Sequence, residues 1–358
     1  MKATPRHDSD GIALIMVMCA IFVLSALAAG FALSMKVETK LAQNANSEQQ
    51  LLWLGRSGVE FARYILSQHP PGENYDSLNQ KWAGGSGSLA ESNSVLSSIS
   101  LDNYPVGNGT ISIKIIDLER KVNINTAINP ANSQMIQQAL ILMSVDASDI
   151  SVVSDSILDW IDADDLPRVA GAESDYYQGL PLPYYAKNAP IDDLSELLLV
   201  KGVTPEMYWG SNATNHTPSV FQHKLGLGTA PGQAPDYPFG LVEIFTPFSS
   251  GKINVNTADA NVLQMIPGVD NVTAENIIKI RSGPDGVDGT EDDIPFQNIG
   301  QLATAGLNPQ QFGNLCDVHS STYEVHVTAQ LGDYKREYVA ILARTSGTVI
   351  QVLSFYWK

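Results

Sequence analysis

The amino-acid sequence predicts an α+β protein: a long N-terminal membrane-spanning helix, a small antiparallel sheet, and a large α-helical domain inserted between the strands of that sheet. Three observations carry the prediction. The run from Ile12 to Met35 is apolar and holds no charged residue. The β-alternating stretch Gly109–Asp117 is separated by a long, mostly helical sequence from the comparable stretches Tyr323–Gln330, Tyr334–Leu342 and Val349–Trp357. That intervening sequence repeats itself: Val122-Asn123-Ile124-Asn125-Thr126-Ala127 returns as Ile253-Asn254-Val255-Asn256-Thr257-Ala258, displaced by 131 residues.

Ile12 to Met35 is 24 residues, about 36 Å of helix, and a bilayer core is about 30 Å thick. A secretory signal has a shorter apolar core with its small residues behind it, whereas here Gly11 stands in front. Lys2 and Arg6 place the leader on the cytoplasmic side and the rest of the chain outside. Past Met35, Leu41, Ala45, Leu52, Val59, Ala62 and Leu66 continue at helical spacing until Ser67-Gln68-His69-Pro70-Pro71-Gly72, where consecutive prolines stop a helix. A polar leader (1–11), a glycine, a transmembrane helix (12–35) and its continuation outside the membrane (36–70) resemble the type IV pilin and pseudopilin superfamily. The resemblance implies cleavage by a prepilin peptidase between Gly11 and Ile12, and methylation of the new Ile12 amine.

The 358 residues carry a formal net charge of −17, and that excess lies outside the cytoplasm. Such a surface repels nucleic acid and anionic lipid and attracts cations. Cys19 lies in the apolar run and Cys316 near the other end, so no internal disulfide is expected. The six histidines show no zinc-type spacing and neither cysteine has a base beside it, so no enzyme is predicted. Glu73–Ser100 reads as surface loop with a short helix. The sheet domain is assigned to 71–126 and 320–358, with Gly332-Asp333 turning a hairpin, and the inserted domain to 127–319.

The repeats span about 122–210 and 253–315. Each continues with an apolar-faced helix (Ser156–Ile161; Ala274–Arg281), an acidic loop, and a second helical unit with a turn (Leu194–Pro205; Ile299–Pro309). The second copy resembles a helix-hairpin-helix module, and the two are read as helix-hairpin-helix-like (SAM-like) repeats. In DNA-binding relatives of that module the hairpin offers backbone N–H groups to a phosphate. Here Asp270 stands where a glycine would let the phosphate approach, with Glu275 close by, and carboxylates repel a phosphate. The modules are therefore read as scaffolds for protein contact, with no nucleic acid as partner. The first acidic loop offers Asp162, Asp164, Asp165, Glu173 and Asp175, and the second Asp285, Asp288, Glu291, Asp292 and Asp293 around Gly286 and Gly289. Oxygen ligands without histidine favour a structural calcium, although neither loop has the EF-hand spacing.

Leader, absent disulfide, inserted domain and duplicated Asn-x-Asn-Thr-Ala motif occur together with Asp159-Trp160-Ile161-Asp162-Ala163-Asp164-Asp165-Leu166-Pro167-Arg168, Gly171-Ala172-Glu173-Ser174-Asp175-Tyr176-Tyr177, Lys187-Asn188-Ala189-Pro190 and Glu196–Gly202. Together they resemble the K-type minor pseudopilins of type II secretion, general secretion pathway protein K. The resemblance implies a single-pass bacterial inner-membrane protein whose pseudopilin α/β domain and large α domain lie in the periplasm with bound calcium. It also implies a place at the pseudopilus tip with the I- and J-type minor pseudopilins, initiating assembly in support of export of folded proteins across the outer membrane. The major pseudopilin, the inner-membrane secretion platform and the prepilin peptidase are the further implied partners. Met16 holds the fifth mature position, where most pilins carry a glutamate that neutralises a neighbour's N-terminal ammonium inside the membrane. Its absence fits a subunit with no neighbour ahead. Two alternatives stand beside this reading: a membrane-tethered helix-hairpin-helix protein in DNA uptake, and a type IV pilus minor pilin.

Overall fold

The computed structural model describes residues 10–68, 74–87, 95–129, 132–210, 237–346 and 348–358. Leader residues 1–9, and Pro70 and Pro71, which were expected to stop the first helix, lie outside these. Helix α1 (Asp10–Ser67) is 58 residues long, about 87 Å, and is long and apolar enough to cross a membrane. Its first half has no protein packed on it: Ile12 is 63% and Phe22 76% exposed, a surface that only lipid or other apolar helices can cover.

The strands in chain order are β1 (Tyr104–Val106), β2 (Gly109–Asp117), β3 (Val122–Asn123), β4 (Phe245–Thr246), β5 (Ile253–Asn254), β6 (Cys316–Asp317), β7 (Thr322–Leu331), β8 (Tyr334–Ser346) and β9 (Val349–Trp357). The main sheet has the order β1-β2-β7-β8-β9, antiparallel throughout. β2 and β7 are neighbours with Asp117 opposite Tyr323, so everything between them leaves and re-enters at one end of the sheet. β7 and β8 are joined through Gly332-Asp333, with Gly332 at φ 58°, the left-handed conformation that a two-residue hairpin turn requires.

The second half of α1 lies across the sheet. Leu51, Leu54, Val59, Ala62, Ile65 and Leu66 share a core with Ile111, Ile113, Ile115, Tyr323, Val325, Val327, Tyr338 and Leu342. This corrects the expected stripe, because Leu41 is exposed and Leu52 only partly buried. Asn44 and Glu48 already bond Tyr334 and Arg336 of β8, but apolar packing on the sheet starts at Leu51 and is close. A Cβ on Gly55 would come within 2.4 Å of the Tyr338 ring, and one on Gly58 within 2.3 Å of Val327. The segment expected to be surface loop also differs. Tyr75, Asp76, Ser77, Asn79, Gln80 and Trp82 are buried, because Trp82 packs edge-on against Tyr323 and the polar groups bond locally, as Gln80 Nε2 does to the Tyr75 carbonyl.

On the sheet face away from α1, His326 lies between two carboxylates, with Nε2 2.6 Å from Glu324 and Nδ1 2.9 Å from Glu337. The bond to Glu324, then that to Glu337, holds the imidazole above its usual 6.5, although burial opposes it. Burial alone would raise Glu324, but His326 brings it, like Glu337, below the usual 4.5. The histidine's contribution is therefore complete below pH 6.5 and fades as pH rises through its raised pKa; the glutamates' is complete above 4.5 and fades as pH falls through their lowered ones. His326→Gln should flatten the alkaline flank of a stability–pH profile above about 6.5, and an unchanged flank would refute this.

The insertion has a core of its own, built from Val122 to Val318 with Tyr75. Val122 and Ile124 belong to that core, so residues 122–126, assigned to the sheet domain from the sequence, pack with the inserted domain. The duplication is visible in the hydrogen bonds. Asn123 Oδ1 accepts from Asn125 N, and the Asn125 side chain clamps Ile191 through its N–H and its carbonyl. Asn254 Oδ1 accepts from Asn256 N, and Asn256 clamps Phe296 in the same way. Each copy is closed by a short parallel ladder that sequence reading did not anticipate, β3 with β4 and β5 with β6. Each also has a 3-10 turn (Leu194–Leu199; Ile299–Ala305), a left-handed glycine (Gly202; Gly306), and a capped helix opening on proline (Pro205–Trp209; Pro309–Phe312).

Sheet and insertion meet in a buried polar junction. Asp117 accepts from Thr257 Oγ1 (2.5 Å), Ser320 Oγ (2.6 Å), Asn254 Nδ2 (3.3 Å) and Glu119 N (2.8 Å). Burial, then Glu119, pushes its carboxyl up to about 8, and the Ser320 and Thr257 hydroxyls pull against them. Glu119 holds Ser250 N, Ser321 Oγ and Thr322 N. Asp76 pairs with Arg344, whose Nη2 also caps the Leu66 carbonyl of α1. The insertion thus leaves from the end of the body farthest from the membrane segment.

Candidate metal centre

Helix α2 (Ala147–Ile161) buries Val153, Ile157, Leu158, Trp160 and Ile161. Trp160 stands edge-on to Tyr177 and Tyr184, which fixes the helix end from which the first acidic loop departs. Asp159 is fully buried, and the loop wraps around it. Its carboxylate accepts from Arg168 N and Arg168 Nη1, and a Cβ on Gly171 would lie 1.8 Å from Asp159 Oδ2. Only glycine lets the returning strand pass that carboxylate. Lys201 Nζ holds the Ala170 and Gly171 carbonyls from outside.

This wrapping brings together one oxygen each from Asp162, Asp164 and Glu173, all within 4.8 Å of one another. Glu173 is 3% exposed, and both its carboxylate oxygens lack a hydrogen-bond partner, as does Asp162 Oδ1. Burial, then the charges of Asp159, Asp162, Asp165 and Asp164, pushes the Glu173 carboxyl up to about 7. Buried carboxylate oxygens without donors fit a hard cation, which would satisfy them and remove the repulsion. Of the other residues named from sequence, Asp165 is spent on Ser174 N and Asn188 Nδ2, and Asp175 is exposed on the short helix α3 (Ser174–Gln178). Sequence reading missed Asn188 as a site residue. At φ 46° it donates to the Asp164 carbonyl and leaves its own Oδ1 buried without a partner; its place in Lys187-Asn188-Ala189-Pro190 was the available signal.

The second loop is arranged differently. Asp288 pairs with Arg281 (2.6 Å). Asp285 accepts from Val287 N, Asp292 from Asp285 N and Thr290 Oγ1, and Asp293 from Gly289 N, while Glu291 is exposed. Among the described residues these carboxylates do not converge on one point as the first set does. In the hairpin before it, Gly268 takes φ 85° and Asp270 caps the helix Asn271–Arg281 by accepting from Thr273 N. A phosphate arriving at that helix start would meet a carboxylate already in its place.

A helix long and apolar enough to cross a membrane, laid by its second half over an antiparallel sheet with a two-module domain inserted at the end of the sheet where the helix stops, defines a pilin-like subunit. Residues 115–210 match the family model of type II secretion system protein K, and residues 249–316 that of the helix-hairpin-helix motif. The type II secretion system protein K of Pectobacterium carotovorum is 32% identical over 117 residues; the match covers 29% of this chain and 35% of that protein's length. That of Pseudomonas aeruginosa is 24% identical over 98% of this chain and 93% of its own. A crystal structure of the GspK-GspI-GspJ complex from the type 2 secretion system of enterotoxigenic Escherichia coli contains a chain that matches 88% of this one with a TM-score of 0.60 and 17% identity, over 99% of that chain. The chain is thus similar to type II secretion system protein K, through the family model over residues 115–210 and through relatives that extend along most of its length.

Proposed function

We propose that this protein is the minor pseudopilin at the tip of the type II secretion pseudopilus, where it initiates assembly and supports export of folded proteins across the outer membrane. One observation carries the tip position: the insertion leaves β2 at Asp117 and rejoins the sheet at Thr322, beside the C-terminal end of α1. A further subunit stacked along the α1 axis away from the membrane would collide with it. Met16 in place of a glutamate supports the same position. Membrane anchoring rests on α1; the basic leader residues support an inner-membrane anchor with the body on the periplasmic side. The GspK-GspI-GspJ complex supports I- and J-type minor pseudopilins as partners, and the fold offers the major pseudopilin and secretion platform a common helix to assemble on. No catalytic role and no nucleic-acid contact are part of the reading. Co-purification of the full chain with two smaller pseudopilins tests it; capture of pilus minor pilins, or steeply salt-dependent DNA binding, would favour the alternatives.

Processing belongs to the same reading. Prepilin peptidase should cut between Gly11 and Ile12 and leave a methylated Ile12 amine, which intact-mass analysis of membrane-extracted protein reads directly. An uncut form from cells with an active peptidase would refute it.

Asp162, Asp164 and Glu173 would hold a structural calcium, with its charge offsetting the unpartnered oxygens of the first loop. The second loop is the second candidate, and a cation there would share Asp288 with Arg281. Chelation should lower the melting temperature of the full chain in detergent by on the order of 5 °C, reversed by calcium and not by magnesium. Asp164→Ala with Glu173→Ala should abolish most of that difference. Identical melts with chelator and with calcium would return these residues to plain surface charge.

A further inference from the structure

We propose that Arg168 is a built-in counter-cation of the first acidic loop, holding it folded when no metal is bound, so that a bound divalent cation and the guanidinium partly replace one another. This rests on the reading of that loop as a metal site. A single nitrogen, Nη1, bridges the two carboxylates at the loop's base, 2.6 Å from Asp159 and closer still to Asp162. Asp162 therefore has one oxygen on the arginine and one, Oδ1, without a partner. The carboxylate that anchors the loop and a carboxylate of the candidate site are tied to the same positive charge. Lys201, which reaches the loop from outside, contacts its carbonyls instead; among the described residues Arg168 is the cation bonded to the carboxylates at the base.

The second module repeats the device. Arg281 pairs through Nε and Nη2 with Asp288 of its acidic loop, while Nη1 donates to the Val255 and Ala258 carbonyls of the repeated Asn-x-Asn-Thr-Ala segment. Each acidic loop thus carries an arginine that supplies part of the positive charge a metal would bring.

A divalent cation beside Asp162 is repelled by the guanidinium a few ångströms away. Removing that charge should tighten metal binding while weakening the metal-free fold. A residue that merely pre-shapes the site would have the opposite effect, because its loss weakens binding. The test compares wild type, Arg168→Gln and Arg168→Lys as full chains in detergent, by calcium titration calorimetry and by melting with calcium and with chelator. The expected result is calcium binding about tenfold tighter or more in R168Q, with a wider gap between its calcium and chelator melting temperatures than in wild type, and R168K in between. Weaker or unchanged calcium binding in R168Q, or an R168Q chain that fails to fold even with calcium, overturns the proposal. Absence of any calcium effect in wild type is a separate result: it removes the metal reading and this inference with it.

Discussion

Asp117→Ala should destabilise the protein by on the order of 3–5 kcal/mol, because it leaves buried donors unpaired on both sides of the junction between sheet and insertion. The Thr257 and Ser320 hydroxyls, the Asn254 amide and the Glu119 N–H all converge on this one carboxylate. Two of these donors come from the second module and one, Ser320, from the segment leading into β7, so the loss falls on both cores. Thr257→Val, which removes one donor and leaves the carboxylate three, should cost about 1–2 kcal/mol. Denaturant unfolding of the full chain reads both. A D117A variant as stable as wild type would mean that the junction is hydrated and holds nothing together.

Replacing Val122–Val318 by a short glycine linker should leave a folded, membrane-anchored sheet and reduce co-purification with the I- and J-type pseudopilins to background. Asp117 and Tyr323 already face each other on adjacent antiparallel strands, so a hairpin-length link restores the connection. Among the described residues the core beneath α1 takes no side chain from the insertion and should survive, while Asp117 and Glu119, stripped of Asn254, Thr257 and Ser250, become hydrated. Circular dichroism should lose helix and keep β signal. Unbroken co-purification would move the tip surface to the sheet, and complete unfolding would show that the two cores fold as one.

The sheet was readable because its strands alternate with period two, and because Gly332 marks a turn that few other residues can make. The insertion was readable for a different reason: a duplicated segment keeps the side chains its hydrogen bonds need. Asn125 and Asn256 recur because each clamps a distant backbone through both its donor and its acceptor. The acidic loops were visible as composition, five carboxylates in each, and composition does not say which of them converge. The packed chain separates them, since Asp162 and Glu173 are buried with oxygens unpartnered while Asp288 is neutralised by Arg281.

By itself the sequence determined the course of α1, the four long strands of the main sheet, the duplication and the family motifs, all of which rest on local periodicity or on neighbours in the chain. Tertiary structure alone decided which helix face is buried, since the close approach at Gly55 and Gly58 depends on where β7 and β8 lie. It likewise decided the place of Asp76, Asp117 and Glu119, and the difference between the two acidic loops. Those depend on groups far apart in sequence: Asp117 meets Thr257 and Ser320 across 140 and 203 residues. Whether a buried carboxylate is satisfied is a property of the partners that packing delivers to it, and no spacing along the chain records them.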